Sequence, residues 1–404
     1  MSSTRRPRLV FVVTVPITAK VLMRGQLAYL RDSGFDVTVI SSPGPELDTV
    51  AEREGVRTIA IPIAREIEPA GDVRALAQLT RAIRQCAPDI VNASTAKAGL
   101  LGMMAAAACR VPVRIYQLRG LRLETERGAK RTILGISERI AAACATRVIC
   151  VSESLRERYV AEGFAPARKC VVLGAGSSNG VEIARFARTE RRVREAVALR
   201  AELGIEPGAP VIGFVGRPVA DKGMAELLDA FDDATATHPT ARLVVVGAGF
   251  AADAVEASIA KRLAGRRDII LIPHVAEPAP YYAMMDMLAF PSYREGFPNA
   301  PLEAAAAAVP TVGFRATGVS DAVVDGTTGL LFDVGDTRGL AGGLARYLDD
   351  SAVRRAHGEL AAARAASRFS REVVWAAWRS EYGRMLRERE LPAPATHVPR
   401  NSGI

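Results

Sequence analysis

The chain has 404 residues, 49 % of them hydrophobic, which is too long for one compact core and enough for two. No run approaches the roughly 18 uncharged apolar residues of a spanning helix, so none is expected. The net charge of +9 is uneven: residues 1–190 hold 28 Lys and Arg against 18 Asp and Glu, and the remainder is close to neutral. That asymmetry suits an anionic partner for the first half. A nucleic acid is the weaker choice, because no aromatic and basic residues interleave and no binding module is recognisable.

In chain order, Leu9 to Val15 reads as an apolar strand buried on both faces of a parallel sheet. The basic residues ahead of it resemble a signal peptide only superficially, since the apolar run is short and β-like. We expect a cytoplasmic protein. A loop over Pro16 to Lys20, a helix to Arg31 and a strand from Phe35 to Ser41 follow. Helices over Pro45–Gly55, Asp72–Ala87, Ala98–Arg110 and Gly128–Thr146 then alternate with strands over Arg57–Pro62, Asp89–Asn92, Val113–Gln117 and Arg147–Val151. Such alternation implies an open, mostly parallel sheet. Val171 to Ala184 carries three glycines and reads as a boundary between two such arrays.

The pattern restarts after a charged helical stretch, Arg185 to Leu203. Strands are expected over Val211–Val215, Arg242–Val246, Ile269–Ile272, Leu288–Pro291, Pro310–Phe314 and Leu330–Phe332. Helices are expected over Met224–Ala236, Pro280–Met285, Thr337–Asp349 and Ala352–Phe369. Gly247-Ala248-Gly249-Phe250-Ala251-Ala252 matches the dinucleotide fingerprint G-x-G-x-x-A, but it falls in mid-domain and no acidic residue ends the next strand. We read it as a tight turn rather than a nicotinamide or flavin site. The last helix, Arg371 to about Glu390, puts Val374, Trp378, Tyr382 and Met385 on one stripe. The tail beyond it reads as disordered.

Chemistry concentrates in YREGFPNAPLEAAAAAVP, Tyr293 to Pro310. A strand, a tight loop and a helix follow one another there. Pro298 suits a first helical turn, Asn299 a position near the cap, and the free N–H groups of that turn favour an anion. Glu295 in the loop and Glu303 in the helix stand up to roughly 12 Å apart along the axis. One carboxylate can face a reacting carbon while the other grips a hydroxyl pair further along the same ligand. Gly216-Arg217-Pro218 and Lys222-Gly223 place two cations after another strand end, where ligands of open parallel sheets bind. Arg217 can hold two phosphate oxygens at once and Lys222 acts as a compact charge. No D-x-D pair follows an apolar strand, the four histidines are scattered, and the five cysteines form no C-x-x-C pair. No metal site and no cofactor are expected.

These stretches resemble the E-x7-E signature and the G-R-x4-K-G segment of the retaining glycosyltransferases of family 4. The resemblance runs over nearly the whole chain. It implies an α/β protein of the GT-B fold, two Rossmann-like domains facing each other across a cleft, with a C-terminal helix crossing back to the N-terminal domain. The domains expected are 1–180 for the acceptor, joined by the helix at 371–390, and 181–370 for the nucleotide sugar, with a tail at 391–404. Within the family, Glu295, Arg217 and Lys222 are implied as the catalytic set. Gly216, Arg217, Lys222, Val275, Glu295, Gly296, Phe297, Pro298, Asn299 and Glu303 would line the donor, Glu303 holding the ribose hydroxyls and Val275 lying where the base is met through backbone atoms.

The segments TAKAGLLG (Thr95–Gly102) and IYQLRG (Ile115–Gly120) resemble a subgroup that builds capsular or other glycan chains on a polyprenyl diphosphate. Lys97 would meet an acceptor diphosphate. Arg119 stands where many members have His, and either binds the acceptor or pairs with Glu124. Arg122, Arg127, Lys130 and Arg131, with Leu121, Leu123, Ile133 and Leu134 between them, form a face able to rest on anionic lipid at the inner membrane. The activity implied is transfer, with retention and without metal, of a hexosyl or N-acetylhexosaminyl unit from a nucleoside diphosphate sugar, UDP-linked, to a lipid-linked saccharide. A nucleotide-sugar 2-epimerase of the same architecture and a non-catalytic sugar-nucleotide-binding subunit are the alternatives.

Overall fold

The computed structural model describes residues 5–66, 68–248 and 254–394. Gly249 to Ala252 of the glycine-rich turn and the tail from residue 395 lie outside them. The described chain divides into two compact units. The first runs to Val151, adds Leu155–Gly174 and resumes at Val374; the second is Ser152–Ser154 with Ala175–Val373.

In chain order the first array is β1 (Arg8–Val12), α1 (Pro16–Leu22), α2 (Gln26–Asp32), β2 (Asp36–Ser41), α3 (Pro45–Glu54), β3 (Arg57–Ala60), α4 (Pro69–Cys86), β4 (Ile90–Ser94), α5 (Ala96–Ala108), β5 (Val113–Leu118), α6 (Gly128–Cys144), β6 (Arg147–Cys150), α7 (Glu153–Ala161) and β7 (Cys170–Val172). All pairings are parallel, in the order β3-β2-β1-β4-β5-β6-β7. The central strands are buried on both faces, which is why they read as unbroken apolar runs. The expected loop at Pro16 is instead a helix turn, because proline fits that first turn at no cost in hydrogen bonds. Val171 and Val172, read as part of a linker, pair with β6 as the outermost strand.

The second array is α8 (Ile183–Phe186), α9 (Glu190–Glu202), β8 (Val211–Val215), α10 (Met224–Thr235), β9 (Arg242–Ala248), α11 (Ala254–Leu263), β10 (Ile269–Pro273), α12 (Ala279–Met284), β11 (Met287–Phe290), α13 (Asn299–Ala306), β12 (Thr311–Phe314), α14 (Val319–Ala322), β13 (Gly329–Phe332), α15 (Thr337–Asp349) and α16 (Ser351–Phe369); α17 (Arg371–Arg387) follows it and from Val374 belongs to the first unit. The sheet of the second array is also parallel, in the order β10-β9-β8-β11-β12-β13.

Each unit closes around its own core. In the second, Phe214, Phe231, Leu243, Met287, Phe314 and Leu344 are sealed between sheet and helices. In the first, Leu9, Phe11, Phe35 and Val39 meet Val374, Trp378, Tyr382 and Met385 of α17. Tyr382 sets its ring edge-on to Phe11 and Phe35, and its hydroxyl accepts from Asn92 Nδ2 at 2.7 Å. The aromatic stripe of the last helix is therefore core of the first sheet.

Both sheets have the same reversal. The chain moves outward on one side of its first strand and returns on the other, so the switch points fall between β1 and β4 and between β8 and β11. Loops leaving the carboxyl ends of such neighbours diverge and leave room for a ligand.

Candidate functional site

The second switch point carries the residues singled out from the sequence. The loop after β8 holds Gly216 to Lys222, and the loop after β11 holds Pro291 to Pro298; β8 and β11 are hydrogen-bonded neighbours. Backbone ties lock the two loops together. Tyr293 N donates to Asp221 O at 3.0 Å, and Arg294 Nη2 meets Asp221 Oδ2 at 2.8 Å. Gly223, at φ +67°, turns from the first loop into α10, and a Cβ there would run into the Pro291 carbonyl. The two motifs thus approach backbone to backbone.

Across this junction the Lys222 ammonium bonds Glu295 Oε1. Ser292 Oγ lies 3.0 Å from the same oxygen. The Glu295 N–H donates to Thr317 O at 3.1 Å, which fixes the loop from the β12 side. Lys222 has three N–H donors and spends one on Glu295, so two remain for an incoming anion. Arg217 stands exposed one residue past Gly216 and has no side-chain hydrogen bond or ion pair among the described residues.

Further along, Gly296 and Phe297 are buried, the Phe297 ring lying 5.2 Å from that of Phe369. Pro298 is the N-cap residue rather than the first helical one, with φ −78° and ψ 134°, and exposed Asn299 opens α13 without a side-chain cap bond. The first turn of α13 therefore keeps its N–H groups unclaimed by any cap side chain.

Glu303 sits one turn into α13, half-buried. Tyr282 of α12 donates to its Oε2 at 2.8 Å. Burial raises the Glu303 pKa above the ordinary carboxylate value. The Tyr282 bond and the nearby Arg185 and Arg371 oppose the rise, and Glu277 adds to it. Phe186 of α8 holds the Tyr282 ring edge-on at 5.6 Å. Val275 lies half-buried beyond β10, the outer strand, with β9 between it and β8. The structure therefore joins Lys222 to Glu295 directly, places Glu303 on the helix that the same loop opens, and leaves Arg217 and Val275 in separate loops of the same strand-end face.

At the first switch point, Thr95 joins β4 to α5 with φ +73°, a strained conformation for a β-branched residue. Its hydroxyl is 2.6 Å from that of Thr14, which in turn accepts from Ala98 N at 3.2 Å. Lys97, read as an acceptor contact, is bound by both oxygens of Asp72 at 2.7 and 2.9 Å. Arg119, past the end of β5, does not pair with Glu124. Its one hydrogen bond among the described residues goes to Gln117 Oε1 at 3.3 Å, while its Nε and Nη1 are shut off from solvent without partners. That burial lowers its pKa to about 10. Among the described residues no group of three or more His, Cys, Asp or Glu side chains is placed to hold a metal ion.

Sequence reasoning missed Asp221, Ser292, Tyr282, Thr14 and Thr95. Ser292 had a signal, the Pro-Ser turn ending β11. Pairing Tyr282 with Glu303, or Thr14 with Thr95, requires the tertiary structure. The basic helix face also differs from expectation. Leu121 and Leu123 are 1 and 2 % exposed, and Arg131 is paired with Glu162 at 2.8 Å.

Two parallel Rossmann-like units, the second with a Lys–Glu pair and an open helix terminus at its switch point, define the α/β class of the GT-B fold. Solved structures agree. Anabaena HepE, solved in complex with UDP and glucose, superposes with a TM-score of 0.77 at 20 % identity, over 93 % of this chain and 98 % of that one. A sucrose-phosphate synthase from Thermosynechococcus elongatus gives 0.76 at 17 %, over 95 and 100 % of the two chains.

The chain belongs to the glycosyl transferases group 1, whose family matches residues 209–350, while a glycosyl transferase 4-like domain matches residues 19–176. It is similar to the capsular polysaccharide biosynthesis glycosyltransferase CapM of Staphylococcus aureus, 35 % identical over 91 % of this chain and 95 % of CapM. It is also similar to the UDP-Gal:alpha-D-GlcNAc-diphosphoundecaprenol alpha-1,3-galactosyltransferase of Escherichia coli, 25 % identical over 80 % of this chain and 83 % of that enzyme. The protein is a glycosyltransferase. Among the described residues no helix is long and apolar enough to cross a membrane.

Proposed function

We propose that this glycosyltransferase moves a hexosyl or N-acetylhexosaminyl unit from a UDP-sugar to a lipid-linked saccharide in cell-surface polysaccharide synthesis, with retention of configuration and without a metal ion. The observation that carries the reading is the Lys222–Glu295 pair at the β8/β11 switch point. A sugar diphosphate leaves with charge growing on its phosphate oxygens. Fixed donors aimed at that charge lower the barrier without reorganising. Among the described residues Lys222 keeps two free N–H donors, Arg217 has an unpaired guanidinium, and α13 opens on a turn without a cap side chain.

Glu295, held by Lys222 and Ser292, faces the transferred sugar. Glu303 accepts from the ribose hydroxyls. Val275 meets the base through its backbone, and Gly216, Gly296, Phe297, Pro298 and Asn299 shape the donor's bed. The leaving diphosphate helps remove the acceptor proton, and the new bond forms on the face that the old one leaves. The first unit takes the acceptor near Lys97 and Arg119. The uridine base and the lipid-linked acceptor rest on the relatives: the E. coli enzyme is named for UDP-Gal and a diphosphoundecaprenol acceptor, CapM for capsular polysaccharide, and HepE was solved with UDP.

The test is a panel of nucleotide sugars incubated with an undecaprenyl-diphosphate-linked saccharide. UDP released only when acceptor is supplied, an α-linked product from an α-linked donor, and turnover unchanged by EDTA are the expected results. An inverted anomer, an EDTA-sensitive rate, or donor consumption without acceptor would each refute the corresponding part.

A further inference from the structure

Gln117 is the last residue but one of β5, and Arg119 is the first beyond its end. β5 pairs with β4, Gln117 opposite Ser94, and β4 borders the first switch point. Both side chains therefore stand at the edge where ligands of parallel sheets bind. Gln117 is 2 % exposed. Its Oε1 accepts from Arg119 Nη2 at 3.3 Å, and its Nε2, buried, has no partner among the described residues. Arg119 Nε and Nη1 are buried and unpartnered in the same way. A guanidinium and a primary amide bring many N–H donors, and here one is spent. The pair is thus a knot of donors that lacks acceptors.

Arg119 also carries a charge without a counter-charge. Among the described residues no carboxylate pairs with it, and Tyr382 is the one titratable group that favours its ionised form. Burial prevails, which is why its pKa falls. Lys97 is the contrast, because both oxygens of Asp72 hold it and its charge is met within the chain. An unpaired buried cation and unmade hydrogen bonds are costly unless a ligand completes them. The missing partner is an oxyanion. One guanidinium beside a neutral amide matches a single negative charge, that of a carboxylate. A diphosphate carries more charge, and the second unit offers Lys222, Arg217 and a helix end for one.

We propose that Gln117 and Arg119 form a carboxylate subsite, and that the saccharide taken by the first unit ends in an acidic sugar, a hexuronate. The inference rests on the reading of the first unit as the acceptor side and adds the chemical class of the acceptor. The experiment compares two undecaprenyl-diphosphate-linked saccharides that differ only in the terminal sugar, glucuronate or glucose. The full chain and its preferred UDP-sugar are used throughout. The lipid and the diphosphate are then constant, and the carboxylate is the one variable. The wild type should favour the glucuronate acceptor in kcat/KM by on the order of 30-fold, the scale of a hydrogen-bonded charge. Arg119→Gln should lose most of that preference, and Arg119→Lys, which keeps the charge, should retain part of it. Gln117→Leu should weaken it less than Arg119→Gln does. Melting curves, and thermal stabilisation by the UDP-sugar, show that the variants are folded.

Equal kcat/KM for the two acceptors in the wild type overturns the proposal and leaves the transferase reading standing. So does an Arg119→Gln variant that slows both acceptors alike, since Arg119 would then meet the shared diphosphate or only pack the unit. A preference for UDP-glucuronate over UDP-glucose that Arg119→Gln abolishes overturns it too, because the carboxylate would belong to the transferred sugar. If neither lipid-linked saccharide accepts sugar, water-soluble aryl glycosides of glucuronate and glucose separate the two readings. Preference for the glucuronide there keeps the subsite and drops the lipid-linked acceptor. Transfer to neither glycoside overturns both.

Discussion

The ammonium of Lys222 is bonded to Oε1 of Glu295, 73 positions further along the chain. The contact exists because β8 and β11 are neighbours at the switch point and because the loop after each is pinned to the other through Asp221. Replacing either residue by Ala should lower kcat by roughly 10²–10³, the scale of losing one preorganised charge-stabilising group. The two effects should not add, since the side chains form one unit, and the double variant should lose little more than the worse single one. Single-turnover rates on the preferred donor, with melting temperatures as a check on folding, measure this. Turnover near the wild-type rate in a folded Lys222→Ala would remove both roles.

Glu303 supplies a pH-dependent test of the donor site. Burial raises its pKa, so on acidification it takes up a proton at a higher pH than an ordinary glutamate. A protonated carboxyl is a poorer acceptor for ribose hydroxyls. The KM for the nucleotide sugar should therefore climb as pH falls, before kcat changes. Tyr282→Phe removes a hydrogen bond that favours the carboxylate and should move that climb to still higher pH. A KM–pH profile identical in the wild type and Tyr282→Phe would show that Glu303 does not hold the donor.

Glu138 predicts a pH dependence of stability instead. Burial raises its pKa from 4.5 to about 7, against the hydroxyls of Tyr116 and Tyr159, which favour the carboxylate. Below about 4.5 the side chain is protonated in folded and unfolded chains alike, and its contribution is complete. As pH rises the unfolded chain ionises first, so stability falls until about 7 and is flat above it. Glu138→Gln stays neutral throughout. The stability of the variant relative to wild type should rise by about 3 kcal/mol from pH 4 to pH 8, one pKa unit being worth about 1.4 kcal/mol. Denaturant melts at a series of pH values give that difference directly, and a constant difference would refute the assignment.

Much of the molecule was readable as sequence, for identifiable reasons. Strands such as Leu9–Val12 and Val211–Phe214 are sealed on both faces, so each shows as an apolar run. Lys222 and Glu295 in their loops and Glu303 in α13 could be picked out because their spacing is set locally, by a strand end and a helix start. The misses come from elsewhere. β7 is three residues long and runs into Gly174 and Gly176, which made it look like linker. α11 was not anticipated, since it follows a glycine-rich turn that drew the reading to phosphate fingerprints. Lys97 was singled out by the resemblance of TAKAGLLG to an acceptor segment, which says nothing of Asp72, 25 residues earlier on α4. The strain at Thr95 is likewise a product of the β4–α5 turn against Thr14, and no residue pattern announces it.

Gly223 offers the sharpest test of how the site is positioned. Its φ of +67° is left-handed, and an added methyl would meet the carbonyl of Pro291, a backbone atom that cannot swing aside. Gly223→Ala must then pay for the conformation, about 1 kcal/mol, and push apart the two loops that bring Lys222 to Glu295. Activity should fall more steeply than stability, because a displacement on the order of 1 Å at a positioned group can cost about 100-fold in rate. Gly342, inside α15, is the matched control. A Cβ there meets nothing within 4 Å, so Gly342→Ala should leave turnover unchanged and stabilise the fold by roughly 0.5–1 kcal/mol. Equal kcat in the two variants would mean that the approach of the β8 loop to the β11 loop does not set the geometry of the reaction.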